Sequence, residues 1–254
     1  MERRTEITLL GDSILKGIQV DPKTRGYQVR NDIGIPELEA EFSLHVRNDA
    51  HFGATCVKGT KLLDRLLASG RPCQAVVMDF GGNDCDFRWR DIAADPTGTH
   101  LPAVPLPEFR ERYRGMVRRL REAGIQPILM NLPPLLSQWF FDWWCRDLDQ
   151  AAVRTWLGDV SNIYAHQERY SRAVESLARE EDVPLVDVRG AFLAHGHLET
   201  LLCEDGTHPN STGQALIGQA FRKFAEAQGI PAGDGVSRRF ALCGANADEK
   251  KRET

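Results

Sequence analysis

Five short apolar runs, at residues 7–10, 43–47, 75–80, 127–131 and 184–188, limit what this chain can fold into. Most do not alternate cleanly between apolar and polar residues. Such runs read as strands covered on both faces rather than with a wet side. Between them, apolar residues recur at helical spacing. Leu62, Leu63, Leu66 and Leu67 form one such face, and Phe109, Tyr113, Met116, Val117 and Leu120 another. Tyr170, Val174 and Leu177 follow the same rule, as do Leu216, Ile217, Ala220, Phe221 and Phe224. Strands alternating with helices are joined by right-handed crossovers. The expected fold class is α/β: a single three-layer α/β/α domain with a flavodoxin-like parallel sheet of five strands in the order 2-1-3-4-5. The last helix carries a start signal, since Ser211-x-x-Gln214 reads as a capping box just after Pro209.

Bulk properties remove several classes of function. The net charge of −4 over 254 residues gives no global attraction to nucleic acid or an anionic membrane. The N-terminal apolar run falls short of the roughly seven residues a secretory core needs. No stretch approaches the ~18 apolar residues of a spanning helix. Cys56, Cys73, Cys85, Cys145, Cys203 and Cys243 are scattered without a C-x-x-C pair. They suggest neither a disulfide framework nor a zinc knuckle. Reduced thiols in a cytoplasmic protein are the expectation. His195-Gly196-His197 alone is a weak metal signal, so no metal and no cofactor is expected.

In a sheet of this order, ligands bind at the carboxyl edge where strand order reverses. Strand 1 runs into Gly11-Asp12-Ser13, and strand 3 into Gly81-Gly82-Asn83-Asp84. Strand 2 runs into Asn48-Asp49-Ala50-His51-Phe52-Gly53-Ala54-Thr55. Ser13 alone fits a helix N-cap as well as a nucleophile. A partner for it comes late, in Asp205-Gly206-Thr207-His208 before the last helix. An Asp three residues ahead of a His can hold the imidazole Nδ1 from the same turn. The other ring nitrogen is then an acceptor able to take a serine proton.

Together these blocks resemble the GDSL, or SGNH, hydrolase family. The GDS-x-x-x-G block is Gly11-Asp12-Ser13 through Gly17, and the second block's glycine is Gly53. The G-x-N-D block is Gly81 through Asp84, and the D-x-x-H block is Asp205 through His208. The match spans roughly residues 5–228. The resemblance implies a serine esterase acting through an acyl-enzyme without a cofactor. Ser13 would be the nucleophile, His208 the general base and then acid, and Asp205 its orienting partner. The backbone amides of Ser13 and Gly53 and the side-chain amide of Asn83 would form the oxyanion hole. The same Ser…Asp…His order occurs in α/β-hydrolases, which need G-x-S-x-G. Gly11-Asp12-Ser13-Ile14-Leu15 lacks the second glycine, which excludes that fold.

Residues 132–170 are long for one connection and carry Trp139, Phe140, Phe141, Trp143, Trp144 and Trp156. They read as an insertion with its own structure. Its aromatics suit core packing, a contact between copies of the chain, or a wall of the active-site cleft. Asp12, His51, Trp139, Trp143 and Trp144 are the candidate substrate contacts. The tryptophans, and the lack of an obvious long apolar channel, favour a small acyl group such as acetyl on a carbohydrate. The alternatives are a lipolytic esterase or thioesterase on longer acyl chains, and a non-catalytic binding module of the same fold. Arg110, Arg112, Arg114, Arg118, Arg119 and Arg121 form a basic helix, but Phe109 and Tyr113 lie on its apolar stripe. A solvated face or an oligomer contact suits it better than nucleic acid. The hydrolase domain is expected over residues 1–228 and an extension over 229–254, its DEKKRET end poorly ordered.

Overall fold

In the computed structural model, which describes residues 4–30 and 32–230, the five apolar runs join one parallel sheet. The strands are β1 (Thr5–Gly11), β2 (Ile18–Val20), β3 (Tyr27–Val29), β4 (Leu44–Asn48), β5 (Ala75–Asp79), β6 (Gln126–Met130) and β7 (Leu185–Val186). The order is β4-β1-β5-β6-β7, every neighbour parallel, which is 2-1-3-4-5 among the sheet strands. The expected α/β architecture is the observed one. β2 and β3 form a separate antiparallel hairpin. The last strand is shorter than residues 184–188, because Asp187 leaves the ladder to cap the next helix through Gly190 N–H.

The helices are α1 (Ser13–Lys16), α2 (Ile35–Glu41), α3 (Cys56–Ala68), α4 (Trp89–Ala94), α5 (Leu106–Glu122), α6 (Ser137–Trp144), α7 (Gln150–Leu157), α8 (Asn162–Glu180), α9 (Val188–His195) and α10 (Ser211–Ala227). Helices α3, α5 and α8 cover one face, where Leu63, Phe109, Tyr113 and Leu177 meet Val76 and Met78 of β5. Helices α2, α9 and α10 cover the other, where Leu38, Phe192 and Ile217 meet Val77. Successive β5 residues thus enter opposite cores, which is why the run could not alternate with polar residues. Each such side chain contributes about 1.5–3 kcal/mol when fully buried.

The capping box is corrected by one residue. Asn210 is the N-cap of α10, its Oδ1 accepting from Thr212 N–H at 2.9 Å and Gly213 N–H at 3.1 Å. Ser211 Oγ instead donates to Asp32 at 2.6 Å. Gln214 donates to the Ile14 carbonyl. Most of the α5 arginines are engaged with acidic residues. Arg110 and Arg114 pair with Glu180, Arg114 also with Glu181, and Arg119 with Asp64. The insertion packs largely on itself and on α4, with Phe140, Phe141, Val153, Leu157 and Ile163 around Trp89 and Ile92. Among the described residues no helix is long and apolar enough to cross a membrane. Cys56, Cys73, Cys85, Cys145 and Cys203 are free thiols. Cys243 and the DEKKRET end lie outside the described residues.

Candidate active site

β1 leaves the sheet at Gly11, and Asp12 turns the chain. Asp12 N–H donates to the Asp79 carbonyl at 3.1 Å, and the Asp12 carboxylate caps Ile14 N–H at 2.9 Å. Ser13 therefore begins the one-turn helix α1, which Gly17 closes at φ 74°, in the left-handed region suited to glycine. On the far side of the sequence, the turn before α10 presents His208. Its Nδ1–H donates to Asp205 Oδ2 at 2.5 Å, so Nε2 is the acceptor, and Ser13 Oγ lies 2.9 Å from it. Asp205 Oδ1 also accepts from the N–H groups of Thr207 and His208, at 3.1 and 3.0 Å. All three side chains are buried.

Burial alone would raise the Asp205 carboxyl. The hydrogen bond and charge of His208, with the two main-chain donors, outweigh it and hold the group below its ordinary value. The turn also needs Gly206, at φ 72°. A Cβ there would lie 2.5 Å from Phe140 N and 2.7 Å from the Leu136 carbonyl. The Gly206 carbonyl accepts from Leu136 N–H at 2.8 Å. The insertion is thereby fastened to the turn that holds Asp205 and His208.

Gly53 lies on the β4–α3 loop at φ 68°, with no atom within 4 Å of a would-be Cβ. Neither its N–H nor that of Ser13 has a hydrogen-bond partner among the described residues. Asn83, after β5, donates from Nδ2 to Asp12 Oδ2 at 3.1 Å and to the Ala54 carbonyl at 3.2 Å. Asp84 accepts from Cys56 N–H at 2.9 Å. Asn83 and Asp84 thus pin the Gly53 loop to the β5 loop from two sides.

The model of the GDSL-like lipase/acylhydrolase family matches residues 9–216. The chain belongs to that family. A GDSL esterase/lipase of Oryza sativa subsp. japonica is 24% identical over 171 residues, 66% of this chain and 60% of that protein. An isoamyl acetate-hydrolyzing esterase of Saccharomyces cerevisiae is 28% identical over 135 residues, 53% of each chain. The chain thus spans between about half and three-fifths of the lengths of these curated relatives. Among solved structures, a lipase/acylhydrolase from Enterococcus faecalis has a TM-score of 0.61 at 18% identity, covering 92% of this chain and 100% of that one. A catalytic mutant of an acetylxylan esterase from Geobacillus stearothermophilus has a TM-score of 0.60 at 20% identity, covering 88% and 96%. These structures share the fold.

Within this GDSL-like site, the expected substrate contacts divide. Asp12 is 2% exposed and Trp143 5%, so neither is open to a substrate. Asp12 is occupied by Ile14 N–H and Asn83. Trp143 is covered by the guanidinium groups of Arg25 and Arg146, at 4.4 and 4.9 Å from its ring. His51 is half-buried and donates from Nδ1 to the Asp49 carbonyl at 2.9 Å. Trp139 and Trp144 remain partly exposed.

Two rim residues were not anticipated. The Tyr27 ring lies 5.2 Å from the His208 ring and stacks on Trp144 at 6.2 Å, while its hydroxyl accepts from Trp143 Nε1 at 3.1 Å. Phe52 lies parallel to His208 at 6.0 Å. The signals were present. Ile18-Gln19-Val20 and Tyr27-Gln28-Val29 alternate around a segment with Pro22 and Gly26, which is a hairpin pattern. Phe52 adjoins Gly53.

Near Ser13 sit three buried acids. Burial pushes Asp12 up to about 7, against the Ile14 N–H and the His208 charge. Burial raises Asp84 to about 6. It also raises Asp79, with the Asp12 charge adding to the effect. Among the described residues no group of three or more His, Cys, Asp or Glu is placed to hold a metal.

Proposed function

We propose that this protein hydrolyses carboxylic esters through an acyl-enzyme on Ser13. The observation that carries the reading is the hydrogen-bonded series Ser13 Oγ, His208 Nε2, His208 Nδ1, Asp205 Oδ2. His208 takes the Ser13 proton as Oγ attacks the ester carbonyl, and Asp205 steadies the resulting imidazolium. The Ser13 and Gly53 N–H groups, both without partners among the described residues, donate to the oxyanion. Asn83 joins them by turning one Nδ2–H away from Ala54 or Asp12. His208 then gives its proton to the departing alcohol, and water attacking the acyl-enzyme repeats the sequence.

The acyl group is small, acetyl being the least case, and the alcohol is a carbohydrate or a similar ring. Two relatives carry names that support a small acyl group: the acetylxylan esterase and the isoamyl acetate-hydrolyzing esterase. The half-exposed rings of Tyr27, Phe52 and Trp144 support a ring-shaped alcohol, since a sugar face packs on an aromatic face. Most aromatics of the insertion are buried in their own cluster, so association between copies through it would rest on Trp139 and Trp144. The free thiols suit a reducing compartment.

The test is turnover of p-nitrophenyl acetate by the wild type and by Ser13→Ala. The wild type is expected to hydrolyse it and the variant to lose activity by orders of magnitude. Equal rates would refute the reading. A strong preference for octanoate or longer esters would replace the small acyl group with a lipolytic or thioesterase role.

A further inference from the structure

A cavity of about 310 Å3 between the β5–α4 loop, α4 and the insertion is left unassigned by the chemistry above. Gly82 and Thr207 are part of its wall. These are the residues immediately before Asn83 and His208, so the cavity shares its wall with the two loops that carry the proposed oxyanion donor and base. Its main walls are Phe87, Trp89, Leu135, Phe140, Trp156 and Leu157, drawn from the β5–α4 loop, α4 and the insertion.

The lining chemistry is that of a slot for an apolar ring. Phe87 meets Trp156 edge to face at 4.9 Å, and Trp89 meets Phe140 edge to face at 5.8 Å. Such walls accept a further ring in the offset and edge geometries that aromatic quadrupoles favour. The acid in the wall, Asp86, is occupied: its Oδ1 accepts from Trp89 Nε1 and Phe87 N–H, both at 2.9 Å. The His166 imidazole in the wall is pressed toward its neutral form by burial. Arg169 stands at the exposed edge. Size sets a second condition, because an apolar cavity of about 150 Å3 already holds benzene. This one has room for a ring and a short linker, and acetyl would fill little of it.

The two sides of the ester can be assigned. The alcohol must leave beside His208, which returns its proton, and that side is flanked by the half-exposed Tyr27 and Phe52. With the alcohol on that side, the side left to the acyl substituent is that of Gly82, which is part of the cavity wall.

We infer that this cavity is the acyl pocket, and that the preferred substrates are esters of a compact acid bearing an apolar ring, such as an arylacetic acid. This rests on the ester-hydrolase reading and sets the upper bound of its small acyl group.

The experiment compares kcat/KM for p-nitrophenyl acetate, phenylacetate and palmitate, each divided by its hydroxide rate. Phenylacetate is expected to exceed acetate about tenfold or more, the discrimination a buried methylene gives in a hydrophobic pocket. Palmitate is expected to fall below acetate. Ala165 lines the cavity from the exposed side of α8, so Ala165→Trp and the milder Ala165→Phe fill it without entering a core. Both are expected to lower the phenylacetate-to-acetate ratio, the first about tenfold. A wild-type ratio near one, or a ratio that neither variant moves, would overturn the pocket assignment alone. So would variants that instead change the ratio of phenethyl acetate to ethyl acetate, which would give the cavity to the alcohol. No turnover of any ester by the wild type would defeat the hydrolase reading and the pocket with it.

Discussion

Gln214 donates from Nε2 to the main-chain carbonyl of Ile14, 3.2 Å away, in a fully buried contact. It joins the helix that follows His208 to the one-turn helix that begins with Ser13, across 200 residues of sequence. His208 and Ser13 are thus held together through the elements that carry them as well as by their own hydrogen bond.

Replacing Gln214 with Leu removes this bond and leaves the Ile14 carbonyl with the Gly17 N–H alone. A bond of this kind contributes about 0.5–1.5 kcal/mol. The melting temperature is expected to drop by about 2–4 °C for each kcal/mol. Esterase kcat is expected to fall with it, because α1 is no longer tied to α10. A variant that melts and turns over like the wild type would remove Gln214 from the positioning of the site.

Asn83→Ala deletes the proposed side-chain oxyanion donor and two hydrogen bonds between loops. Loss of one such donor lowers kcat by about 10²–10³-fold. The loss is expected in kcat far more than in KM, since the donor acts on charge that develops after binding. Steady-state kinetics on p-nitrophenyl acetate checks it. A change confined to KM would give Asn83 a binding role instead.

Gly206→Ala places a Cβ against main-chain atoms of α6 at a left-handed φ. The conformation alone costs about 1–2 kcal/mol, and the contact with Phe140 N adds to it. Lower thermal stability and a weakened His208–Asp205 turn are expected together. Thermal melts and kcat measured on one preparation test this, and unchanged values for both would contradict the tight packing described.

The buried acids fix a dependence of stability on pH. Asp12 is raised from an ordinary 3.8 to about 7, so the folded chain keeps a proton that the unfolded chain releases. Stability from this group is present at low pH and is lost as pH rises through that window. Asp205 has the opposite sign. Its lowered pKa contributes stability above the ordinary carboxylate value, and that stability disappears as pH falls through the folded value. Asp12→Asn is therefore expected to gain on the wild type as pH increases from about 4 to 7. Melts at several pH values decide it, and a constant offset would mean that Asp12 is not held protonated.

The sheet was legible because burial on both faces forces continuous apolar runs, and β5 shows this in Val76, Val77 and Met78. The loops that carry Ser13, Asn83, Asp205 and His208 were legible because each residue lies within a short polar block at a strand end or before a helix. The rest depended on contacts distant in sequence. The run at 184–188 yields only Leu185–Val186 in the ladder, since Asp187 finds a stronger role as a cap. Asn210 outcompetes Ser211 as N-cap because Asp32 takes the serine hydroxyl. Trp143 reads as a substrate contact until Arg25 and Arg146 are seen to cover it. Tyr27 reaches His208 only because a hairpin folds over the site, and three-residue strands leave little apolar signal.

The central claim is that Ser13 is a nucleophile made reactive by His208. A fluorophosphonate probe at neutral pH, followed by intact-mass and peptide mapping, tests it most directly. One adduct on Ser13 is expected, with labelling greatly slowed in His208→Ala. A folded protein that takes no adduct, or one labelled equally fast with and without His208, would contradict the account and leave a binding module of the same fold.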